Sequence, residues 1–129
     1  MAVRRVEISD LDLVVPLFDA YRRFYTQEED LEGARAFLSD RLEGEESVIF
    51  LADSASEPAG FAQLFPTYSS VRMIRSWLLN DLFVDPGFRG KGVGRELMDH
   101  VIAYARETGR QRVELETATD NTVARALYE

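Results

Sequence analysis

Val84-Asp85-Pro86-Gly87-Phe88-Arg89-Gly90-Lys91-Gly92-Val93-Gly94 is the stretch from which the rest of the chain can be read. An apolar run from Trp77 to Val84 reads as a strand that stops at Pro86. Four glycines follow within eight residues, and apolar side chains then recur at helical spacing (Val93, Leu97, Val101, Tyr104). Strand, glycine-rich turn and helix N-terminus in that order make a binding place for phosphate. The first N–H groups of a helix have no intrahelical partner, and the helix dipole adds about half a positive charge at that end. Glycines let the main chain approach an anion with no Cβ in the way. Arg89 and Lys91 add side-chain charge, and Lys91 is the only lysine among 129 residues.

The spacing excludes two well-known phosphate loops. A P-loop requires a hydroxyl residue after its lysine, and Lys91 is followed by Gly92. A dinucleotide fingerprint requires G-x-G-x-x-G in an early βαβ unit, whereas Gly90, Gly92 and Gly94 alternate and Arg95 follows. The pattern that fits is Arg-x-x-Gly-x-Gly, from Arg89 to Gly94.

Composition limits the chemistry further. The chain has the length of one domain and an apolar fraction of 46%, enough for a real core. It has no cysteine and a single histidine, His100. Thiolate metal sites and a cysteine acyl-enzyme are thereby excluded, Ser-His catalysis is poorly supplied, and no metal is expected. His100 falls within the helix after the loop, where a surface or packing role is expected. No stretch approaches the roughly 20 apolar residues of a membrane span, and Glu7, Asp10 and Asp12 interrupt any signal-peptide pattern. A cytoplasmic protein without membrane attachment is expected. The net charge of −8 argues against nonspecific nucleic-acid binding and suits a cationic partner.

The elements are expected in the order β-α-α-β-β-β-α-β-α. The first strand covers Val3 to Ile8, and Ser9 with Asp12 starts a helix that Pro16 should kink or restart. A second helix runs from Leu31 to Leu42, with Asp30 as its cap and Gly44 as its stop. Strands follow at Ser47 to Ala52, Gly60 to Phe65 and Arg75 to Val84. The helix after the glycine loop ends at Gly109, and Arg112 to Thr117 is a further strand. Strict alternation on the central strand puts Leu78, Asn80, Leu82 and Val84 on one face and Trp77, Leu79, Asp81 and Phe83 on the other. An Asn-Asp pair inside so apolar a run needs a reason, because burying a charge is costly. Asp81 is either a functional carboxylate or a structural one tied to Arg72, Arg75 or backbone amides.

The loop, the strand Leu82-Phe83-Val84-Asp85-Pro86 before it, and the segment from Asp120 to Glu129 together resemble the GNAT superfamily of acetyl-CoA-dependent N-acetyltransferases. In that last segment an Asn-led helix ends in Leu127-Tyr128-Glu129. The similarity spans roughly residues 77 to 129. It implies an α/β (α+β) fold, a mixed central sheet flanked by helices, in a single domain over residues 1–129. The family continues for two more strands, so a chain ending at Glu129 is expected to be truncated before them.

The resemblance also implies roles. Arg89, Gly90, Lys91, Gly92, Val93 and Gly94 hold the diphosphate of acetyl-CoA. Leu82, Phe83 and Val84 bind its pantetheine arm through the main chain, and Asn121 matches a position that contacts the same arm or simply caps a helix. Tyr128 matches the general acid that protonates the departing thiolate. Asn80 and Asp81 fall where an acidic pair occurs in polyamine-type members; Asn replaces the first acid, and Asp81 is the candidate base or water anchor. The loop from Phe24 to Asp30, aromatic and then acidic, helps wall the acceptor site, and the Tyr21/Phe24/Tyr25 cluster with the segment Phe65 to Trp77 looks most like small members acting on histones, other proteins or polyamines. A polyamine, a lysine side chain or another small primary amine is the expected acceptor, and a homodimer the expected assembly. A non-catalytic acyl-CoA sensor and a dimerising interaction module are the competing readings.

Overall fold

A computed structural model describes residues 1–110 and 112–115. Five strands form one sheet in the order β1-β2-β3-β4-β5: β1 (Ala2–Arg5), β2 (Val48–Ser54), β3 (Glu57–Ser69), β4 (Ile74–Val84) and β5 (Arg112–Leu115). The first four pair antiparallel and β4–β5 is parallel, so the sheet is mixed. Helices α1 (Leu11–Phe24) and α2 (Leu31–Glu43) cover one face, and α3 (Val93–Glu107) covers the other.

Each helix docks through the stripe its sequence announces. On α1, Leu11, Val14, Val15 and Phe18 are buried with Ile49, Leu51, Phe61 and Phe83 of the sheet. On α3, Val93, Leu97, Val101 and Ala105 are buried with Phe50, Leu64, Trp77 and Leu79 on the opposite face. Asp30 caps α2 by accepting the Gly33 N–H at 2.9 Å, and Gly44 follows its end, both as expected. His100 bonds through Nδ1 to the Glu96 carbonyl one turn back along α3, which is a helix-surface role.

Five expectations need correction. The first strand stops at Arg5, and Ile8–Asp10 forms a 3-10 turn in which the Glu7 N–H donates to Asp10 Oδ2 at 2.9 Å. Asp10, not Ser9, precedes α1. Of the two expectations for Pro16 the restart does not occur, since α1 runs through it; the ring removes one N–H, and its would-be acceptor belongs to exposed Asp12, where water can serve. Strand β3 extends past Phe65 to Ser69 with Pro66 inside it. β2 pairs with β3 only as far as Leu64, so Pro66 lies where one side of β3 has no ladder to interrupt.

The fifth correction shapes the site. Opposite Gln63 stands Asp81, but opposite Leu64 stands Leu79, so Asn80 is an extra residue in β4. This β-bulge resets the alternation. Trp77 and Leu79 face α3, whereas Phe83 faces α1 and α2, and Leu82 and Val84 now lie on the α3 side. The expected single face for Trp77, Leu79, Asp81 and Phe83 does not exist, because one inserted residue exchanges the two faces beyond it.

Candidate active site

Strand β4 joins two features about 10 Å apart along its axis, by the rise of three strand residues. The first is the glycine loop. Asp85 holds its entry: its N–H donates to the Ala59 carbonyl at 2.8 Å, and its Oδ1 accepts the Gly87 N–H at 2.9 Å. A short 3-10 turn, Pro86–Phe88, then leads to Gly90 and Gly92, whose φ angles are +80° and +84°. Those left-handed values account for two of the glycines, since other residues pay roughly 1–2 kcal/mol there. A Cβ at either position would meet nothing within 4 Å, so the space beside the loop is open. The first N–H to return into the helix is that of Glu96, bonded to the Gly92 carbonyl at 3.1 Å. The preceding amides belong to the orphan set of a helix start.

The loop therefore fits a diphosphate: open, glycine-built and at the positive end of the 15-residue α3. Arg89 and Lys91 are both exposed. Arg89 Nε donates to the Val84 carbonyl at 3.0 Å, with its guanidinium 5.8 Å from the Phe83 ring centre. Lys91 Nζ lies 5.5 Å from the Phe88 ring centre. Val93 and Gly94 are buried at the root of α3, so they set the position of the helix start. Phe83 is buried, and Leu82 and Val84 are half-buried. Among the described residues, the β4–β5 ladder ends at Leu79–Leu115, so beyond it the β5 side of β4 has no strand partner.

The second feature is a cavity of about 390 Å³ between α1, α2 and the sheet. Asn80 and Asp81, at the bulge, are on its floor. Asp81 is 6% exposed and takes three side-chain hydrogen bonds. Gln63 Nε2 donates at 2.7 Å, Asn80 Nδ2 donates at 3.1 Å, and the Tyr21 hydroxyl is the third partner. Burial raises the Asp81 pKa above the ordinary carboxylate value, and the bonds from Gln63, Tyr21 and Asn80 oppose that rise without cancelling it. Neither Arg72 nor Arg75 is among these partners, so the arginine-tied structural carboxylate is not what the fold builds. Gln63 is fully buried, and its Oε1 has no hydrogen-bond partner among the described residues.

The wall above Asp81 is aromatic. Phe18 stacks on Phe37 with ring centres 5.9 Å apart, and Tyr21 meets Phe61 and Phe83 edge-on. The α1–α2 loop is fixed by Asp19, which is 1% exposed. Asp19 accepts the Asp30 N–H at 2.8 Å and Arg23 Nε at 3.1 Å, while Arg22 donates to the Glu28 carbonyl at 3.1 Å.

The fold thus brings Asn80 and Asp81 together at one cavity and gathers residues 89–94 at the other end of the strand. Tyr128 and Asn121 lie outside the described residues. Three participants do not stand out as site residues in the sequence. Gln63 carries a faint signal, the one amide in an otherwise apolar strand segment. Tyr21 reads there only as part of an aromatic cluster, and Arg22, which lines the cavity, has no signal at all.

A helix start that fits a diphosphate and a buried carboxylate, joined by a bulged strand of a mixed sheet, suit an acetyl-CoA-dependent N-acetyltransferase. The chain belongs to the acetyltransferase (GNAT) family, whose model matches residues 14–129. It is 48% identical over 129 residues to an uncharacterized N-acetyltransferase, YhfO, of Bacillus subtilis, across 100% of this chain and 87% of that one. A solved structure of a probable acetyltransferase, 40% identical, superposes with a TM-score of 0.91 over 99% of this chain and 86% of that one. A predicted acetyltransferase from Clostridium acetobutylicum, crystallised with acetyl-CoA, shares the fold at 15% identity, with a TM-score of 0.77 over 98% and 85% of the two chains. No helix among the described residues is long and apolar enough to cross a membrane.

Proposed function

We propose that this acetyltransferase moves the acetyl group of acetyl-CoA directly to a primary amine, with Asp81 as the group that removes the amine's proton. The candidate acceptors are a polyamine, a lysine side chain or another small amine. The observation that carries the reading is Asp81 itself: a buried carboxylate with a raised pKa on the floor of a cavity, on the strand that feeds the diphosphate loop.

An alkyl ammonium has a pKa near 10.4, so offering it as a free amine at pH 7 costs about 4.6 kcal/mol. Asp81 accepts that proton, directly or through a water, and its raised pKa makes it a better base than an exposed carboxylate. The amine nitrogen then bonds to the acetyl carbon while the carbon–sulfur bond breaks. The departing thiolate needs a proton, and Tyr128 is its proposed source; the second proton shed by the newly acylated nitrogen restores the Tyr128 hydroxyl. Gly90, Gly92 and the α3 N-terminus hold the diphosphate, with Arg89 and Lys91 adding charge, and Asn121 is proposed to contact the pantetheine arm. Main-chain groups of Leu82, Phe83 and Val84 orient that arm along β4. Tyr21, Gln63 and Asn80 keep Asp81 in place, and the aromatic wall limits water around it. Positioning of this kind supplies much of the rate in a reaction whose donor is already activated.

The test is thiol release from acetyl-CoA in the presence of a panel of amines. Amine-dependent release that Asp81→Asn lowers and Tyr128→Phe lowers separately supports the reading. Binding of CoA with no release for any amine in the panel would refute it.

A further inference from the structure

The cavity above Asp81 has a composition that selects among amines. Its volume, about 390 Å³, lies at the small end of small-molecule sites. Four of its lining residues are aromatic: Phe18, Tyr21, Phe37 and Phe65. Two of them, Phe18 and Phe37, turn their faces to each other. Phe37 is held between Phe18, at 5.9 Å and nearly parallel, and the Arg41 guanidinium at 4.8 Å. Phe18 also meets Phe61 at 6.0 Å, and the Tyr21 hydroxyl bonds to Asp81. Rings occupied in this way present apolar edges rather than open π faces, so they offer a cation little and a hydrocarbon much.

Among the described residues the lining holds three charged groups, Asp81, Asp30 and Arg22. Asp81 is the one buried carboxylate on the floor. Asp30 also lines the cavity as an exposed carboxylate whose Oδ1 caps α2 by accepting the Gly33 N–H; water screens its charge more than that of Asp81. Arg22 supplies a cation in the lining itself, anchored by the Glu28 carbonyl at 3.1 Å and 3.8 Å from Asp19. Glu28 and Glu29, the acids of the α1–α2 loop, are exposed and not part of the lining. One ammonium meets Asp81; a second in the same molecule has Arg22 beside it and only the exposed, solvent-screened Asp30 as a further acid in the described lining.

We propose that the acceptor is a small monoamine: one primary ammonium carried on an apolar or aromatic body that packs against Phe18, Phe37 and Phe65. This rests on the proposed function, because it assumes that the acceptor nitrogen meets Asp81. It narrows the acceptor classes by setting aside polyamines and protein lysines, whose further charges or peptide backbone the cavity does not match.

The full chain is assayed by thiol release with 2-phenylethylamine, hexylamine, putrescine, spermidine and a lysine-containing peptide. The two monoamines are expected to exceed the two polyamines and the peptide by at least about tenfold in kcat/KM, the range that apolar pocket contacts supply. Phe65→Ala should lower kcat/KM for 2-phenylethylamine about 10- to 100-fold, mainly through KM, and change that for putrescine little. Arg22→Gln should narrow the gap between putrescine and hexylamine. Preference for spermidine or the peptide overturns the proposal and leaves the acetyl-transfer reading intact. Turnover of no amine at all, with CoA still bound, overturns that reading instead. Should Phe65→Ala melt at the assay temperature, the wild-type ranking and Arg22→Gln decide the matter without it.

Discussion

Replacing Asp81 by Asn separates two consequences of one buried charge. The substitution keeps the size and planarity of the side chain, and its remaining carbonyl oxygen can still accept from Gln63 Nε2, which lies 2.7 Å from the native carboxylate. Alternatively the Gln63 amide turns over, its Oε1 accepts the new amide N–H in place of that bond, and the carbonyl oxygen accepts from Asn80 Nδ2. The substituted amide cannot accept a proton from the substrate. At pH 7 the acceptor lies about 3.4 units below its pKa, so roughly one molecule in 2,500 is already a free base. General-base catalysis is commonly worth about 10²–10⁴ in rate, and a loss of kcat/KM within that range is expected at pH 7. The loss should shrink about tenfold per pH unit toward the amine pKa, because the solvent then does the deprotonation.

Stability should move the other way. Burial raises the folded-state pKa of Asp81 above its unfolded value. The native state then binds more protons than the unfolded state between those two values, and stability falls as pH rises through that window. Above it the carboxylate is a fixed cost to the fold, which Asp81→Asn removes. The variant should melt at or above the wild-type temperature at pH 7, with the difference vanishing at acid pH below the unfolded pKa. Steady-state thiol release from about pH 6 to 9.5 and melting curves from about pH 3 to 8 measure both arms. An activity loss of the same size at every pH would refute the reasoning. So would a variant whose stability relative to wild type is lower at neutral pH than in acid.

Three further outcomes are expected. Gly92→Ala puts a Cβ at a φ of +84°, so it should cost about 1–2 kcal/mol in melting and also weaken CoA binding, measured by calorimetry. Gly60→Ala should destabilise more than a surface change, by about 1–3 kcal/mol, because its Cβ would sit 2.7 Å from the Phe83 carbonyl and 3.1 Å from Val93 Cγ1; urea unfolding checks it. Tyr128→Phe should lower kcat with KM for the amine nearly unchanged, and the deficit should be smaller with an acyl donor whose thiol has a lower pKa; equal deficits would count against Tyr128 as the proton donor.

Much of this enzyme is written in local sequence. The glycine loop needs no tertiary information, because alternating glycines between a strand and an amphipathic helix leave few other conformations, and the positive φ angles at Gly90 and Gly92 are local properties. The stripes of α1 and α3 and the Asp30 cap of α2 are local for the same reason: helical periodicity and capping act within a few residues. The bulge at Asn80 is not local. It is defined by which residues of β3 stand opposite β4, and nothing within β4 marks the extra residue that exchanges its two faces. The partners of Asp81 follow from the same pairing. Tyr21 lies 60 positions earlier on a helix packed across the sheet, and Gln63 on the neighbouring strand, so their meeting depends on docking rather than spacing. Chain-local chemistry was enough to specify the loop, the helices and a conspicuous acid. That this acid is buried, raised in pKa and set at the floor of an aromatic cavity came from the assembled fold, because burial and hydrogen bonding belong to surfaces brought together from separate parts of the chain.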